Sequence, residues 1–188
     1  MKGVILHDSI GHPFENWFPW LAKRLTDEGW TFRVPQFPTP EGQNKDNWLK
    51  HMDEQVGSFI DEETVLIGHS GGALLLLNYL NITQQKLAGS VFVSTPFGPS
   101  NVQEFAHLDT TFLETDFNWE HIQKQAGKIA LFHGDDDPVA PVQQSYDVSK
   151  HLGTDVTIVT NGGHLNSRAG YDTFPQLYGW IKKNFNNE

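Results

Sequence analysis

The sequence predicts an α/β fold, a parallel sheet of about six strands covered by helices on both faces. Three observations predict it. Short apolar runs alternate with segments of helical periodicity along the whole chain. The runs are apolar at consecutive positions, the pattern of strands buried on both sides. One run, Val65 to Ile67, passes into an apolar helix through Gly68-His69-Ser70-Gly71-Gly72, a glycine-rich strand-to-helix turn. No linker divides the 188 residues and no segment is long enough for a large cap, so a single domain over residues 1–188 is expected.

Gly3 to Leu6 forms the first strand, and His7 to Glu15 a loop of turn residues. Asn16 stands where it would cap a helix with Trp17, Trp20, Leu21 and Leu25 at helical spacing and Gly29 at its close. Pro19 is compatible with the first turn of that helix. Trp30 to Val34 is the second strand, and a loop punctuated by Pro35, Pro38 and Pro40 leads to Asp46, which opens a helix with Leu49, Met52, Val56, Phe59 and Ile60 on its apolar face. The third strand and its helix, Ala73 to Leu80, come next, then a strand over Ser90 to Ser94. Thr95 to Gly127 is less regular, with a loop opened by Pro96, Gly98 and Pro99 and a short helix over Asn118 to Gln125. Its Phe105, Leu108, Phe112, Leu113, Phe117 and Trp119 either dock the excursion on the body or line a substrate pocket. Ile129 to His133 is the fifth strand. Pro141 to Leu152 is a helix with Val142, Tyr146 and Ser149 inward and Gly153 after its end. Val156 to Val159 is the last strand, and Phe174, Leu177, Ile181 and Phe185 mark the final helix.

Composition narrows the chemistry. The formal charge is −10 with no run of lysine or arginine, which argues against nucleic acid or an anionic membrane as partner. Cysteine is absent, excluding disulfides, thiolate catalysis and cysteine-ligated metal. The first residues read as a strand rather than a signal peptide. The longest uninterrupted apolar run, Ala73 to Leu77, falls far short of the ~20 residues that span a bilayer. A soluble cytoplasmic protein is expected. No H-E-x-x-H pattern or i,i+4 histidine pair occurs, so neither a metal nor another cofactor is expected.

The turn at Gly68 to Gly72 has the G-x-S-x-G form of a nucleophile elbow. So tight a turn forces its apex into unfavourable φ/ψ, and a Cβ at Gly68 or Gly72 would collide with the adjoining strand and helix. It leaves Ser70 exposed at the sheet end above a helix N-terminus, where N–H groups and the helix dipole favour developing negative charge. A dinucleotide-binding turn is the competing reading, but that requires G-x-G-x-x-G and an acid about 20 positions on. Ser70 occupies the second glycine position, the next strand ends without an acid, and no G-x-x-x-x-G-K occurs.

A hydroxyl needs a general base, and the base an orienting acid. In this fold the order is serine, acid, histidine, the acid after the fifth strand and the histidine after the sixth. The loop His133 to Pro141 offers Asp135, Asp136 and Asp137. Asp137 is favoured because Pro138 pushes it extended, away from the helix that Pro141 begins. Asp135 and Asp136 read as turn formers and solvated charges. Gly162-Gly163-His164 lets a loop carry the His164 ring over the sheet end. Of the other histidines, His69 and His133 serve structure or line the site edge; His7 and His12 lie in the loop after the first strand; His51, His107, His121 and His151 read as surface residues. Backbone N–H groups of Gly71 and of Ser9, with Ile10 as the alternative, are expected to form an oxyanion hole. The candidate pocket residues are His69, Ile10, Pro96, Phe97, Phe112 and Phe117.

These stretches resemble the small, lidless serine hydrolases of the α/β-hydrolase superfamily that include bacterial esterase-like proteins and the retinoblastoma-binding serine hydrolase. The resemblance is carried by Asn16-Trp17-Phe18-Pro19-Trp20-Leu21, Gly68-His69-Ser70-Gly71-Gly72, Asp136-Asp137-Pro138-Val139-Ala140-Pro141 and Gly163-His164. It implies a minimal three-layer fold with strand order 2-1-3-4-5-6, lacking the antiparallel pair that usually precedes it. It also implies a triad of Ser70, Asp137 and His164 acting on small esters or related acyl compounds. Asp8 stands where many such proteins have glycine, and without cysteine the chain cannot carry the cysteine-containing retinoblastoma-contact motif. Thioesterase, amidase, acyltransferase and perhydrolase chemistry use the same triad, whereas a dehalogenase needs a carboxylate at the elbow. The alternative outside catalysis is a binding protein on a hydrolase scaffold. Oligomeric state is left open.

Overall fold

The computed structural model describes residues 1–102 and 107–185. Phe105, one of the aromatics of the irregular stretch, lies outside them. Six parallel strands form one sheet: β1 (Lys2–Leu6), β2 (Thr31–Arg33), β3 (Thr64–His69), β4 (Gly89–Val93), β5 (Lys128–Gly134) and β6 (Val156–Val159). Their order is β2-β1-β3-β4-β5-β6, as expected. The chain leaves β1 toward β2, then returns to lay β3 on the other side of β1. Between β1 and β3 the winding therefore reverses, and the loops leaving their carboxyl ends diverge to open a crevice.

Alternation along the strands sends side chains into two cores. Val4, Leu6, Leu66, Phe92 and Leu131 face one cluster, covered by α2 (Lys45–Val56), α3 (Gly71–Ile82), α5 (Trp119–Gln125) and α6 (Val142–Leu152). Ile5, Val65, Ile67, Val91, Val93 and Phe132 face the other, covered by α1 (Phe18–Thr26) and α7 (Pro175–Phe185). A single turn, α4 (Thr110–Leu113), lies in the excursion after β4. Ala73 to Leu77 are all fully buried, so α3 is an inner helix without a polar face along that run.

Three local expectations are corrected. Asn16 does not cap α1: its φ is +53°, Trp17 is the cap residue, and the Asn16 Oδ1 accepts the Ser167 N–H at 2.9 Å. The second helix is capped by Asn44, whose side chain accepts the Asn47 N–H at 2.9 Å, two residues before Asp46. Such a cap contributes about 1 kcal/mol. The inner face of α6 is Gln144, Ser145, Val148, Ser149 and Leu152, while Tyr146 is exposed. Polar residues turn inward there because Ser145 bonds His133 at 2.6 Å and Gln144 Nε2 donates to the Pro99 carbonyl at 2.8 Å.

Candidate active site

The elbow forms because its glycines allow it to. A Cβ on Gly68 would lie 2.5 Å from the Gly72 carbonyl oxygen, and one on Gly72 would fall onto the Leu6 carbonyl of β1. Ser70 takes φ +51° and ψ −120°, a conformation that costs about 1–3 kcal/mol for a non-glycine residue. Its backbone is held by Ser70 N–H donating to Val93 O at 2.9 Å and by Ala73 N–H donating to Ser70 O at 2.8 Å. Its hydroxyl thus stands at the carboxyl end of β3, at the mouth of the β1/β3 crevice.

The structure brings Ser70, His164 and Asp137 into one line. Ser70 Oγ lies 2.9 Å from His164 Nε2, and His164 Nδ1 lies 2.8 Å from Asp137 Oδ2. All three residues are at least nine-tenths buried. Asp137 Oδ1 also accepts the Val139 and Ala140 N–H groups at 2.8 and 3.0 Å. His133 stands behind it, 3.3 Å from Oδ2. The His133 Nε2 faces the Ala140 carbonyl at 2.9 Å, which can only accept, so Nε2 carries the proton and Nδ1 accepts from Ser145. Burial opposes ionisation of Asp137, but the hydrogen bonds from His133 and His164 outweigh it and hold the carboxyl far below the usual range. Asp137 is therefore an anion, and His164 donates from Nδ1, which leaves Nε2 to accept the Ser70 proton.

His164 is itself lowered from its ordinary value. Burial outweighs the Asp137 carboxylate, and the neighbouring His69 adds to the effect. The loop carrying it is clasped from several directions. Asp135 Oδ1 accepts the Asn161 N–H at 2.8 Å and Asp136 Oδ1 the Gly163 N–H at 2.7 Å, so both exposed carboxylates brace this loop besides turning their own. Trp17 Nε1 donates to Leu165 O at 2.9 Å, and His69 Nε2 donates to His164 O at 2.9 Å. The other His69 nitrogen is 3.6 Å from Asp8 Oδ1, too far for a hydrogen bond but close enough to feel its charge. Burial alone lowers His69; the Asp8 carboxylate more than reverses this, and the same pair holds Asp8 low against its own burial.

On the opposite side of Ser70, the loop after β1 lies against Gly71. A Cβ built on Gly71 would sit 3.3 Å from the Ser9 nitrogen. The Ile10 N–H is taken by Thr39 Oγ1 at 2.7 Å, which leaves Ser9 as the available donor in this loop. A cavity of about 790 Å³ opens here, with Ser9, Ile10, Ser70, Asp109, Val139 and His164 in its wall.

Of the six expected pocket residues, Ile10 alone lines this cavity. His69 is fully buried behind His164, Phe112 packs on Trp48 at 5.2 Å, and Phe97 packs with Phe117 and Trp119 against the same core. Pro96 is buried and absent from the wall. These aromatics dock the excursion on the body, the other reading that their number allows. Unforeseen in the wall are Asp109 and Asn16, and behind it Gln43 and Thr39. No periodicity marks them, because their partners lie on distant segments: Ile10 and Thr39 meet across 29 residues, Ser9 and Asp109 across 100, and Asn16 and Ser167 across 151. Among the described residues no group of three or more histidine or acidic side chains is placed to hold a metal ion, and no helix is long and apolar enough to cross a membrane.

A model of the family described as serine hydrolase matches residues 4–183. The chain is 26% identical over 185 residues to YdeN of Bacillus subtilis, a protein named as a hydrolase, covering 98% of this chain and 96% of that one. The crystal structure of the ydeN gene product superimposes with a TM-score of 0.90 over 98% of both chains. Serine hydrolase RBBP9 of Rattus norvegicus is 25% identical over 152 residues, 80% of this chain and 78% of that one. Est1E of Butyrivibrio proteoclasticus, at 14% identity, shares the fold with a TM-score of 0.72 over 97% of this chain and 86% of that one. The match over nearly the whole length, on a six-stranded α/β-hydrolase sheet without a large cap, makes this chain a member of the serine hydrolase family.

Proposed function

We propose that the protein hydrolyses small carboxylic esters through an acyl-enzyme on Ser70. The observation that carries this is the unbroken line from Ser70 Oγ through His164 to Asp137, at 2.9 and 2.8 Å, ending in an open cavity. His164, neutral because burial lowers it, removes the Ser70 proton as Oγ attacks the ester carbonyl. Asp137 holds the ring tautomer and stabilises the imidazolium that forms. The N–H groups of Gly71 and Ser9 receive the oxyanion, and the end of α3 adds its dipole. His164 then returns the proton to the departing alkoxide, and water enters by the same route to release the acid. His164 can protonate either leaving group, and an ester is favoured over an amide because an alkoxide departs more readily than an amine. Est1E has been crystallised with ferulic acid bound, an aromatic carboxylic acid, and a cavity of about 790 Å³ has room for an acyl or alcohol group of that size.

The test is labelling with a fluorophosphonate, which phosphonylates an activated serine. Wild type labels and Ser70→Ala does not; the same pair is then compared on aryl esters, acyl thioesters and amides, with aryl esters turned over fastest. Equal labelling of wild type and Ser70→Ala removes Ser70 as nucleophile.

A further inference from the structure

The cavity in front of Ser70 holds a carboxyl group for which the hydrolytic scheme has no use. Asp109 is 7% exposed and lies in the same wall as Ser70 and His164. Its position is fixed by a relay that starts on the oxyanion-side loop. Ile10 N–H donates to Thr39 Oγ1 at 2.7 Å, Thr39 donates to Gln43 Oε1 at 2.6 Å, Gln43 Nε2 donates to Ser9 Oγ at 2.7 Å, and Ser9 donates to Asp109 Oδ1 at 3.1 Å. Gln43 Nε2 also reaches Asp109 Oδ1 at 3.4 Å.

Both donors fall on Oδ1. The second oxygen, Oδ2, has no hydrogen-bond partner among the described residues, and no lysine or arginine pairs with the group there. Burial pushes the carboxyl up to about 6, the Ser9 hydrogen bond and the exposed His107 offsetting only part of the rise. The carboxyl is held away from most of the solvent, with no donor from the described residues on Oδ2 and no counter-charge among them, which leaves both to be supplied from the cavity. A residue that served only to brace Ser9 would need Oδ1 and nothing else. The surrounding wall sharpens the sign: among the described residues it carries the carboxyls of Asp8, Glu15 and Asp109 against the guanidinium of Arg168.

We propose that Asp109 is a specificity-determining residue, accepting at Oδ2 a hydrogen bond from a donor group of the substrate, an ammonium in preference to a hydroxyl. The assignment rests on the reading of Ser70 as an esterolytic nucleophile and names the substrate class of that site. An ammonium supplies both the missing donor and the missing positive charge; a carboxylate supplies neither and is repelled.

Asp109→Asn is the discriminating variant. Its Oδ1 still accepts from Ser9 and Gln43, so the loop stays braced, while an NH2 group replaces Oδ2 and donates where the carboxylate accepted. The substrates are phenyl acetates and phenyl benzoates with an aminomethyl, hydroxymethyl, methyl or carboxylate group para on the phenol ring in one series and on the acyl ring in the other. In wild type at pH 7.5, kcat/KM for the aminomethyl ester exceeds that for the carboxylate ester by about tenfold or more in one series, the scale of one charge-assisted hydrogen bond. In Asp109→Asn that ratio falls by about tenfold, and the methyl ester changes little. An advantage that depends on Asp109 and belongs to the hydroxymethyl ester instead identifies a neutral donor as its natural partner. Ratios unchanged in both series, or an equal loss on all four esters, overturn the assignment. Fluorophosphonate labelling of both proteins separates the two readings: an unchanged ratio in proteins that label removes Asp109 and leaves Ser70 standing.

Discussion

Replacing Asp137 by asparagine tests the proposed machinery at the point where the geometry is most constraining. The Asp137 Oδ1 receives two backbone N–H groups, from Val139 at 2.8 Å and Ala140 at 3.0 Å. In the variant these donors dictate the amide orientation, because an inverted side chain would aim NH2 at two N–H groups. The amide nitrogen then occupies the Oδ2 position, 2.8 Å from His164 Nδ1. A donor there obliges Nδ1 to accept, which moves the ring proton to Nε2, 2.9 Å from Ser70 Oγ. The base is blocked on the face where it must receive a proton. The same tautomer error in a serine protease lowers kcat by about 10⁴, or roughly 5.4 kcal/mol of transition-state stabilisation. The assay is kcat on phenyl acetate beside the rate of fluorophosphonate labelling, with Asp135→Asn and Asp136→Asn as references. Those two variants keep an acceptor for the Asn161 and Gly163 N–H groups and lose only exposed charge, so they should stay within about threefold of wild type. Activity of Asp137→Asn within tenfold of wild type, or a comparable collapse in Asp136→Asn, would refute the reasoning.

Two other measurements bear on different links of the same chain. Since burial outweighs Asp137 in setting His164, and since the base must be neutral, the acid limb of kcat/KM should lie below pH 6.5; a limb centred above that value contradicts the balance of forces described. The sign for stability agrees: a histidine lowered on folding contributes stability that is present above pH 6.5 and lost as the pH falls through its lower folded value. Gly72→Ala should destabilise the fold by more than about 3 kcal/mol, because its methyl group lands on the β1 backbone rather than on a flexible side chain. In a thermal melt that is a drop of roughly 6–12 °C. Gly179→Ala on α7, where nothing lies within 4 Å, should hold or raise the midpoint, and equal effects at the two sites would remove the steric account of the elbow.

What is legible in the sequence divides by range. The strands stand out because a parallel sheet covered on both sides makes each one apolar at successive positions, and because the elbow glycines answer a local steric need. The choice of Asp137 over Asp135 and Asp136 is also local, resting on the extended conformation that Pro138 imposes on its predecessor. The inner face of α6 is not legible from hydrophobicity, since Gln144 and Ser145 are turned inward by partners on the β4–β5 side that the helix itself does not announce. Asn16 misleads for the same reason: the residue type suits a cap, but its oxygen goes to Ser167, 151 positions away. Asp109 has no local signature at all, being defined by Ser9 and Gln43 on two other loops.

The elbow pentapeptide is therefore only part of the reagent. In the proposed reaction the value of Ser70 depends on His164 being neutral before attack and stabilised as a cation during it, and these demands pull in opposite directions. Burial and His69 favour the neutral ring; Asp137 and Asp8 favour the charged one. The three side chains and the base they act on come from the ends of different strands, Asp8 after β1, His69 at the end of β3, Asp137 after β5 and His164 after β6. Parallel strands put all of these ends on one edge of the sheet. Asp8 is the unusual member of the set, and its position explains how a carboxylate is tolerated there. It is matched with His69, whose opposite nitrogen holds the His164 carbonyl, so the extra charge is absorbed by the residue that also fixes the base in place. A glycine at position 8 would leave His69 without that charge and His164 with one fewer influence favouring its imidazolium. The departure at Asp8 thus belongs to the same electrostatic balance that sets the acid limb.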